Sequence, residues 1–455
     1  MGEKPISRRS FMGRAAGVTG GMLAGRAIRL EAAAPEGAPA RPAAPSDTVR
    51  FGIVGVGMRG AGLLQTAIQL PGVECVAACE LYTSRQELAK QIVGKPIQVT
   101  QRYQDLLDNK DIDCILAPVP DHWHERIVVD CCKAGKDVYV EKPMTHEVEQ
   151  GFPMIEAAKA HNRIVQVGSQ EPSSVLYQKA RELIRQGVIG DVCLVESSLG
   201  RNSPCGAWDY AVPPNLSPQT VDWETWLGPA PKRPFSKLRF TRWRCWQDYG
   251  EGISGDLFIH SLTGIHCAMD VTAPPKRAAT MGGLFRWHDG RDVPDVMTTV
   301  YDYPNFRATL RVTLNTSEDE IYRFLGTHGI LEMHGIENPS GFTIWPQDGK
   351  NHGPCAPAWP EEMEAAYDKE WHAKHDVPPG SASPIEATGY YAPPHYDSTR
   401  EHLWNFFQSV KTRRPSIEDA EFGNNAAIAC HMANYSYFNN AIAVWDAEAR
   451  KLKSA

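Results

Sequence analysis

The chain has 455 residues and carries 47 Lys and Arg against 54 Asp and Glu, which gives a formal net charge of −7. Apolar residues make up 42% of the chain and charged residues 22%, a balance typical of a globular protein of roughly two or three domains. This composition excludes disorder over the whole length, and the mild acidity argues against a nucleic-acid-binding protein. No apolar run reaches about 18 residues, so the sequence predicts no membrane-spanning helix.

The N-terminal segment is typical of an export signal. A twin arginine, Arg8-Arg9, precedes a weakly apolar stretch rich in Gly and Ala, and Ala32-Ala33-Ala34 fits a small-residue cleavage site. We therefore predict a twin-arginine signal peptide over residues 1–34, an Ala/Pro linker over residues 35–47, and a periplasmic or secreted location. Neither segment is expected to fold, and an ordinary basic N-terminus is the alternative.

A glycine-rich turn follows the first predicted strand, an apolar run over residues 49–57. The motif Gly55-Val56-Gly57-Met58-Arg59-Gly60 is a GxGxxG that follows this strand and opens a helix predicted over residues 61–69. Such glycines let the backbone approach a pyrophosphate at a helix N-terminus. We therefore expect dinucleotide contacts at Gly55, Gly57, Met58, Arg59 and Gly60.

A carboxylate marks the end of the second strand, which is predicted over residues 73–79. Glu80 lies twenty residues after Gly60, where an acidic side chain can bind the ribose hydroxyls of NAD and repel the 2′-phosphate of NADP. Ser84 and Arg85 are suited to a 2′-phosphate, so NADP stays open as the alternative. The predicted cofactor is NAD.

Strands and helices continue to alternate through the first half of the chain. This rhythm is typical of an α/β protein with a doubly wound parallel sheet, in which ligands lie outside the carboxyl ends of the strands. Further strands are predicted over residues 113–118, 137–140 and 164–168, and helices over residues 103–107, 124–134 and 156–161. Three polar motifs fall at strand ends: Asp121-His122-Trp123-His124, Glu141-Lys142-Pro143 and Gly168-Ser169-Gln170.

Three stretches together resemble one known family. GIVGVGMRG from residue 52, PDHWHERIVVDCCKAGKDVYVEKPM from residue 120 and GDLFIH from residue 255 are similar to motifs of the Gfo/Idh/MocA oxidoreductases, and above all of their exported members. The resemblance implies an N-terminal Rossmann domain over residues 48–168. It also implies a C-terminal α/β domain over residues 169–455, with a large, open, mostly antiparallel sheet that often forms a dimer or tetramer contact. The implied cofactor pocket includes Pro120, His122, His124, Glu141 and Gln170.

The resemblance singles out Lys142 as a catalytic residue. In the family, the Lys of the EKP motif lies beside the nicotinamide and the reacting carbon. There it would hydrogen-bond the substrate hydroxyl and help to manage its proton as hydride leaves. The alternative is a surface Lys at the end of a strand.

Asp256 and His260 form a second candidate pair. Their i, i+4 spacing places them on one face of a helix, and a His titrates near neutral pH, as an acid or base requires. In the family, a D-x-x-x-H pair occupies this place and its His commonly serves as acid or base. Another Asp often follows that His by three residues, but Thr263 occupies the position here, which leaves the proton relay open. A His capped by Asp256 is the structural alternative.

The sequence predicts no metal site. His122 and His124 have an i, i+2 spacing that would place both on one face of an extended segment, but no third ligand lies nearby in the sequence. The 11 Cys include no CxxC pair, and several lie in apolar runs. We therefore expect buried thiols rather than a disulfide framework.

The second half carries the expected substrate contacts. Residues 201–250 form a long, irregular stretch rich in Trp and Arg, in which Arg244 and Trp246 are the best candidates to contact a sugar. Most of these Trp are expected to pack a core or an interface instead. Residues 352–397 are expected to form a surface excursion. Strands are predicted over residues 278–285, 296–303, 306–314, 322–326 and 329–334, and helices over residues 173–186, 400–409 and 425–444.

Two related functions fit these residues. The leading hypothesis is an NAD(P)-dependent oxidoreductase that transfers a hydride between a hydroxyl carbon of a sugar, glycoside or polyol and a tightly bound cofactor, with Lys142 or His260 taking the hydroxyl proton. The alternative, implied by exported members of the wider family, is a redox-neutral glycoside hydrolase or lyase. It would oxidise a sugar carbon, eliminate the glycosidic substituent, add water and return the hydride. A sugar-binding protein without turnover is the remaining class.

Overall fold

The computed structural model describes residues 26–32, 47–347, 358–375 and 386–455, and the predicted twin arginine lies outside these ranges. The first described segment contains strand β1 (Arg26–Arg29), which pairs in parallel with residues 388–391 at the edge of a large sheet. The expectation that nothing before residue 47 folds is wrong for this strand. An open sheet edge offers unpaired backbone groups that bind an extended segment whatever its side chains are. No helix within the described ranges is long and apolar enough to cross a membrane.

A parallel sheet of six strands forms the centre of the first domain. Its strands are β2 (Val49–Val54), β3 (Val73–Cys79), β4 (Gln98–Thr100), β5 (Cys114–Ala117), β6 (Asp137–Val140) and β7 (Val165–Val167). Their order across the sheet is β4-β3-β2-β5-β6-β7. Strands β5 and β6 are buried along their whole length because both faces of the sheet are covered, which explains their short apolar runs. The predicted doubly wound sheet is confirmed, and β4 is the strand that the pattern missed.

Helices connect these strands. They are α1 (Met58–Ala67), α2 (Thr83–Val93), α3 (Tyr103–Asp108), α4 (His124–Lys133) and α5 (Gly151–Ala160). Helix α1 begins directly after the glycine-rich turn, as the GxGxxG motif predicts.

A mixed sheet of 11 strands dominates the second domain. Besides β1 it contains β8 (Val192–Gly200), β9 (Arg277–Gly283), β10 (Val296–Asp302), β11 (Arg307–Thr313), β12 (Glu318–Gly326), β13 (Gly329–Met333), β14 (Gly341–Pro346), β15 (Thr388–Tyr391), β16 (Ala443–Asp446) and β17 (Lys451–Ser454). The order is β1-β15-β14-β13-β12-β8-β11-β10-β9-β16-β17. Only the pairs β1–β15 and β8–β11 are parallel, so the expected large, mostly antiparallel sheet is confirmed.

Seven further helices belong to the second half of the described chain: α6 (Val175–Arg185), α7 (Trp223–Leu227), α8 (Lys237–Thr241), α9 (Ile259–Ala268), α10 (Glu361–His375), α11 (Ser398–Thr412) and α12 (Ala420–Asn439). Helix α12 packs against α9 and β9 and covers one face of the large sheet. Helix α11 crosses to the first domain instead, where the rings of Phe51 and Phe407 lie 5.6 Å apart. Helix α11 therefore completes the core of the Rossmann domain.

The chain end departs from the sequence prediction at two places. The helix expected over residues 425–444 begins at Ala420 and ends at Asn439, and Val444 lies in strand β16. The excursion expected over residues 352–397 contains helix α10 and strand β15, and β15 pairs with β14 inside the sheet. A short strand with few residues of its own is stabilised by its neighbour rather than by a sequence pattern.

Candidate active site

A cavity of about 510 Å³ opens at the carboxyl ends of the parallel strands. One wall belongs to the Rossmann domain and the other to the irregular segment after β8. The first wall includes Gly55, Gly57, Met58, Arg59, Glu80, Pro120, Asp121, Glu141 and Lys142, and the second includes Tyr210, Trp226, Phe240, Trp243 and Arg244. Most of the predicted cofactor residues therefore share one cavity, at the position where an open α/β sheet binds its ligand.

The glycine turn forms a cradle that side chains would fill. Gly55 has a φ of +92°, and a Cβ there would lie 2.8 Å from the carbonyl oxygen of Pro118. A Cβ on Gly60 would lie 2.3 Å from the carbonyl oxygen of Gly55, so Gly60 serves the close packing of helix α1 on the turn. A Cβ on Gly57 would meet only the guanidinium of Arg85, at 3.6 Å, so the backbone of Gly57 is open to the cavity. This arrangement fits a pyrophosphate at the N-terminus of α1.

Glu80 is held at the rim of this cradle. Its Oε2 accepts a hydrogen bond from the backbone N–H of Val56 at 2.7 Å, and its Oε1 accepts one from the N–H of Tyr82 at 2.9 Å. The guanidinium of Arg85 lies 5.7 Å from the ring of Tyr82 and 5.2 Å from that of Phe240. The carboxylate is thus fixed where ribose hydroxyls would bind, with one cation near enough to keep the 2′-phosphate alternative open.

An ion pair ties the cofactor turn to the strand that carries Lys142. The Nε of Arg59 donates to Oε1 of Glu141 at 2.7 Å, and the backbone N–H of Lys142 donates to the other carboxylate oxygen at 3.2 Å. Burial opposes ionisation of Glu141, but Arg59 outweighs it and lowers the pKa of the carboxyl. Both side chains line the cavity, and their mutual contact fixes the relative position of the turn and the EKP motif.

Asp256 is the centre of a charged cluster whose members Lys142 and Arg244 line the cavity, although Asp256 and His260 themselves are not part of its wall. It lies in a short π-helix, Ser254–Phe258, that leads into α9. Its Oδ1 accepts from Nζ of Lys142 and from Nε of Arg244, both at 2.9 Å, and its Oδ2 accepts from the indole N–H of Trp208 at 2.7 Å. Burial opposes ionisation, but Arg244 and Lys142 outweigh it and hold the pKa of Asp256 well below its usual range. Lys142 and Asp256, the two predicted catalytic residues, lie 114 positions apart in the sequence and are in direct contact in the structure.

His260 continues this cluster one helical turn further on. Its Nδ1 lies 2.9 Å from Oε1 of Glu171, which is fully buried. Its Nε2 faces Glu337, with the nearest carboxylate oxygen at 4.0 Å, and Arg201 donates to that same oxygen at 2.8 Å. A positive charge on His260 is the largest influence that lowers the pKa of Glu337; burial opposes this shift, and Arg201 adds to the lowering. Lys142 and Asp256 also act on the pKa of Glu337, so these groups form one site.

Sequence reasoning missed Glu171 and Glu337. Glu171 follows the Gly168-Ser169-Gln170 motif directly, and its position after a strand end was the one signal that could have drawn attention to it. Glu337 lies in the loop between β13 and β14, where no motif marks it.

His122 and His124 do not line the cavity, contrary to expectation. Nε2 of His122 lies 3.0 Å from the carbonyl oxygen of Trp226, and Nδ1 of His124 lies 2.8 Å from that of Pro143. Burial lowers the pKa of His122 to about 4. Asp121–Trp123 is a 3₁₀ turn rather than an extended segment, so the imidazoles point into the protein. Burial also lowers the pKa of His124, which favours neutral rings, and the ring nitrogens contact backbone carbonyl oxygens around the cavity.

Asp121 and Trp123 are the members of this motif that line the cavity, and Asp121 is the ionisable one. Burial, and then the nearby Glu251, raises the pKa of its carboxyl well above the usual range. Arg244 and Lys142 oppose this shift, which places Asp121 close to the charged cluster. A neutral carboxyl at this point can donate a hydrogen bond to a bound ligand.

Gln170 and Trp246 are also absent from the cavity wall. Gln170 is buried at the start of the short turn Glu171–Ser173. Trp246 is buried and its indole N–H donates to the carbonyl oxygen of Gly290 at 3.2 Å, so it packs the core. Trp243 takes the expected place instead, because its ring lines the cavity and stacks with Arg244 at 4.2 Å.

The described part of the chain contains no group of three or more His, Cys, Asp or Glu side chains that could hold a metal ion. The ten cysteines within it are free thiols. Burial raises the pKa of several of them, including Cys75 to about 12.

Comparison with known proteins agrees with this geometry. Residues 49–169 match the model of the Gfo/Idh/MocA oxidoreductase family, NAD-binding Rossmann fold. Residues 178–276 match the model of the C-terminal alpha/beta domain of the same oxidoreductases. The fold and the cavity thus define a two-domain protein with an NAD-binding Rossmann domain. The two matches support its assignment to the Gfo/Idh/MocA oxidoreductases.

Curated relatives carry a different activity in their names. A glycosyl hydrolase family 109 protein of Shewanella pealeana is 31% identical over 209 residues, which are 41% of this chain and 44% of the relative. An alpha-N-acetylgalactosaminidase of Shewanella oneidensis is 29% identical over 208 residues, again 41% and 44% of the two chains. The matched region thus spans less than half the length of these relatives.

A solved structure extends the similarity over the whole fold. The aldose-aldose oxidoreductase of Caulobacter crescentus superposes with a TM-score of 0.61 at 18% identity, covering 87% of this chain and 99% of that one. At this identity the similarity establishes the fold alone.

Proposed function

We propose that the protein is an NAD-dependent enzyme that oxidises a hydroxyl-bearing carbon of a sugar, glycoside or polyol. The observation that carries this proposal is the position of Lys142. Its side chain lines the nucleotide cavity and donates to Asp256, so it joins the cofactor cradle to the cluster that contains His260. A bound oxidised nicotinamide would supply the hydride acceptor at this junction.

The cluster divides the handling of the hydroxyl group between two residues. Lys142 is a hydrogen-bond donor that can hold the substrate oxygen, with Asp256 keeping its ammonium group in place. His260 has its Nδ1 against the carboxylate of Glu171, so a proton on Nδ1 leaves Nε2 free to accept the hydroxyl proton. Arg244 and Trp243 on the opposite wall can bind a polar ring face.

The second domain also encloses the cofactor side of the cavity. The backbone N–H of Thr83 donates to the carbonyl oxygen of Thr220 at 2.9 Å, and the N–H of Asp222 donates to the carbonyl oxygen of Leu81 at 3.2 Å. These bonds fasten the segment after β8 to the loop that follows Glu80. A segment fastened in this way would slow exchange of a bound nucleotide, which supports a cofactor that stays bound through turnover.

A second candidate, redox-neutral glycoside hydrolysis, is favoured by the names of the curated relatives. Hydrolysis of this kind needs an additional group to take a proton from the carbon beside the new ketone and to protonate the leaving oxygen. Glu337 is partly exposed beside Nε2 of His260 and offers a carboxylate for that purpose. A cofactor that remains enclosed also suits a cycle that returns its hydride.

One experiment separates these functions. Protein purified with its bound nucleotide is incubated in D₂O with a panel of sugars and glycosides, and the products are examined by mass spectrometry. An oxidised sugar, with the cofactor left reduced, supports the dehydrogenase. A free sugar that carries solvent deuterium beside the oxidised carbon supports redox-neutral hydrolysis. Absence of any nicotinamide, bound or added back, would contradict both functions.

We also propose export and self-association. The twin arginine and the small-residue site support export, and blocked export of an Arg8→Lys/Arg9→Lys variant would test it, whereas unimpaired export would contradict it. The face of the large sheet opposite α12 exposes Val300 and Trp345, which supports a dimer or tetramer through this sheet. Light scattering is expected to give two or four copies, and a monomer would contradict this assembly.

A further inference from the structure

We propose that Glu171 is the positioning carboxylate of His260, and that it sets which ring nitrogen faces the substrate. The inference rests on the proposed function for the role of His260 itself. Glu171 begins a one-turn helix, Glu171–Ser173, which three residues separate from the end of the last strand of the Rossmann sheet, while His260 lies on α9 of the second domain. The contact between Oε1 and Nδ1, at 2.9 Å, therefore joins two separate elements at the site.

The second oxygen of Glu171 also faces α9. Oε2 lies 3.0 Å from the hydroxyl of Thr263, three residues after His260, and the same hydroxyl lies 2.9 Å from the carbonyl oxygen of Ile259. A carboxylate only accepts hydrogen bonds, so the contact between Oε1 and His260 requires a donor at Nδ1. In the neutral ring this contact selects the tautomer with the proton on Nδ1, and Nε2 then faces Glu337.

Complete burial of this carboxyl argues for a role beyond packing. The side chain of Glu171 has no exposed surface, and burying a carboxylate costs several kcal/mol unless its partners compensate. Gln would fill the same space at lower cost, so the charge is the feature that packing does not explain. The charge of Glu171 also acts on Glu418. The pKa of the Glu418 carboxyl is raised well above its usual range, first by burial and then by Glu171.

The geometry suggests a test in which the carboxylate is moved. Glu171→Gln keeps the volume but can present either an oxygen or an amide to Nδ1, so it no longer selects one tautomer. Thr263→Asp places a carboxylate on α9, within reach of the position that Oε2 occupies now. The combined variant Glu171→Gln/Thr263→Asp restores one negative charge beside His260 without emptying the site.

Two measurements are made on each variant. Nitrogen-15 NMR of histidine-labelled protein reports the tautomer of His260, which is assigned by the signals lost in His260→Ala. We expect the Nδ1–H form in the wild type, a mixture in Glu171→Gln and the Nδ1–H form again in the double variant. Turnover of the best carbohydrate is expected to fall at least about 100-fold in kcat in Glu171→Gln with KM nearly unchanged, and to recover at least about tenfold in the double variant.

The outcomes are decisive in either direction. The proposal is overturned if Glu171→Gln keeps wild-type kcat, if its loss of activity accompanies unchanged His260 signals, or if the double variant is no better than the single one. A protein without carbohydrate turnover would refute the proposed function, while the NMR signals would still decide whether Glu171 sets the tautomer.

Discussion

Replacement of Asp256 by Asn tests the centre of the charged cluster. Asp256 accepts from Lys142, Arg244 and Trp208, and its side chain is only 17% exposed. An Asn can face the two cations with its oxygen or accept from the indole, but not both, so at least one buried donor loses its acceptor. Each charge-assisted bond contributes about 1.5–3 kcal/mol, and breaking a buried pair costs about 3–5 kcal/mol. We expect the free energy of unfolding to fall by about 3 kcal/mol.

Urea denaturation followed by Trp fluorescence measures this change. Asp446→Asn is the matched control, because Asp446 pairs with Lys453 on the surface and its loss is expected to have no measurable effect. The low pKa of Asp256 keeps its pairs intact above the ordinary carboxyl range, and they are lost only as the pH falls through that depressed pKa. The difference between wild type and variant should thus stay constant from neutral pH to about pH 5 and shrink in stronger acid. A variant within about 0.5 kcal/mol of the wild type at neutral pH would refute this reasoning.

Four further changes probe the site and the core beside it. Lys142→Met should slow reduction of bound nicotinamide by about 10²–10⁴-fold in rapid-mixing experiments, with nucleotide content unchanged; wild-type reduction would contradict its role. Glu80→Ser should weaken NADH binding roughly tenfold in fluorescence titrations and so reduce the preference of the protein for NADH over NADPH. An unaltered ratio of the two dissociation constants would count against the ribose contact. Trp243→Leu should raise KM without loss of stability. Trp246→Leu should instead lower the free energy of unfolding by about 3 kcal/mol with KM unchanged, and the reverse pattern would contradict the assigned positions.

The Rossmann half could be predicted because the features that define its strands and its glycine turn lie in neighbouring residues of the sequence. Strands buried on both faces appear as short apolar runs, and the GxGxxG turn has a φ of +92° at Gly55 that favours glycine. Strand β4 was not predicted because it has only three residues and lies at the sheet edge. Strand β1 escaped for a related reason, since its pairing with β15 depends on the neighbouring strand and not on its own sequence.

The site was predictable in part. The family resemblance singled out Lys142, Asp256 and His260, and the structure brings all three into one cluster. Glu171 and His260 are 89 positions apart, and only the fold brings them together. The two imidazoles of the Asp121-His122-Trp123-His124 motif were assigned to the cofactor pocket by the family resemblance, whereas this segment is a 3₁₀ turn followed by α4 and both rings are buried away from the cavity. Local geometry, rather than residue type, decided which side chain reached the cavity.

The most direct test of the account is rapid mixing of the nucleotide-bound protein with sugars and glycosides, followed by the absorbance of reduced nicotinamide during a single turnover. The panel includes an α-N-acetylgalactosaminide, the substrate class that the name of one relative indicates. The account predicts that at least one carbohydrate produces this absorbance, lasting for net oxidation or transient for redox-neutral hydrolysis, and that Lys142→Met abolishes it. A protein that holds nicotinamide yet cleaves a glycoside without ever reducing it would contradict the central claim.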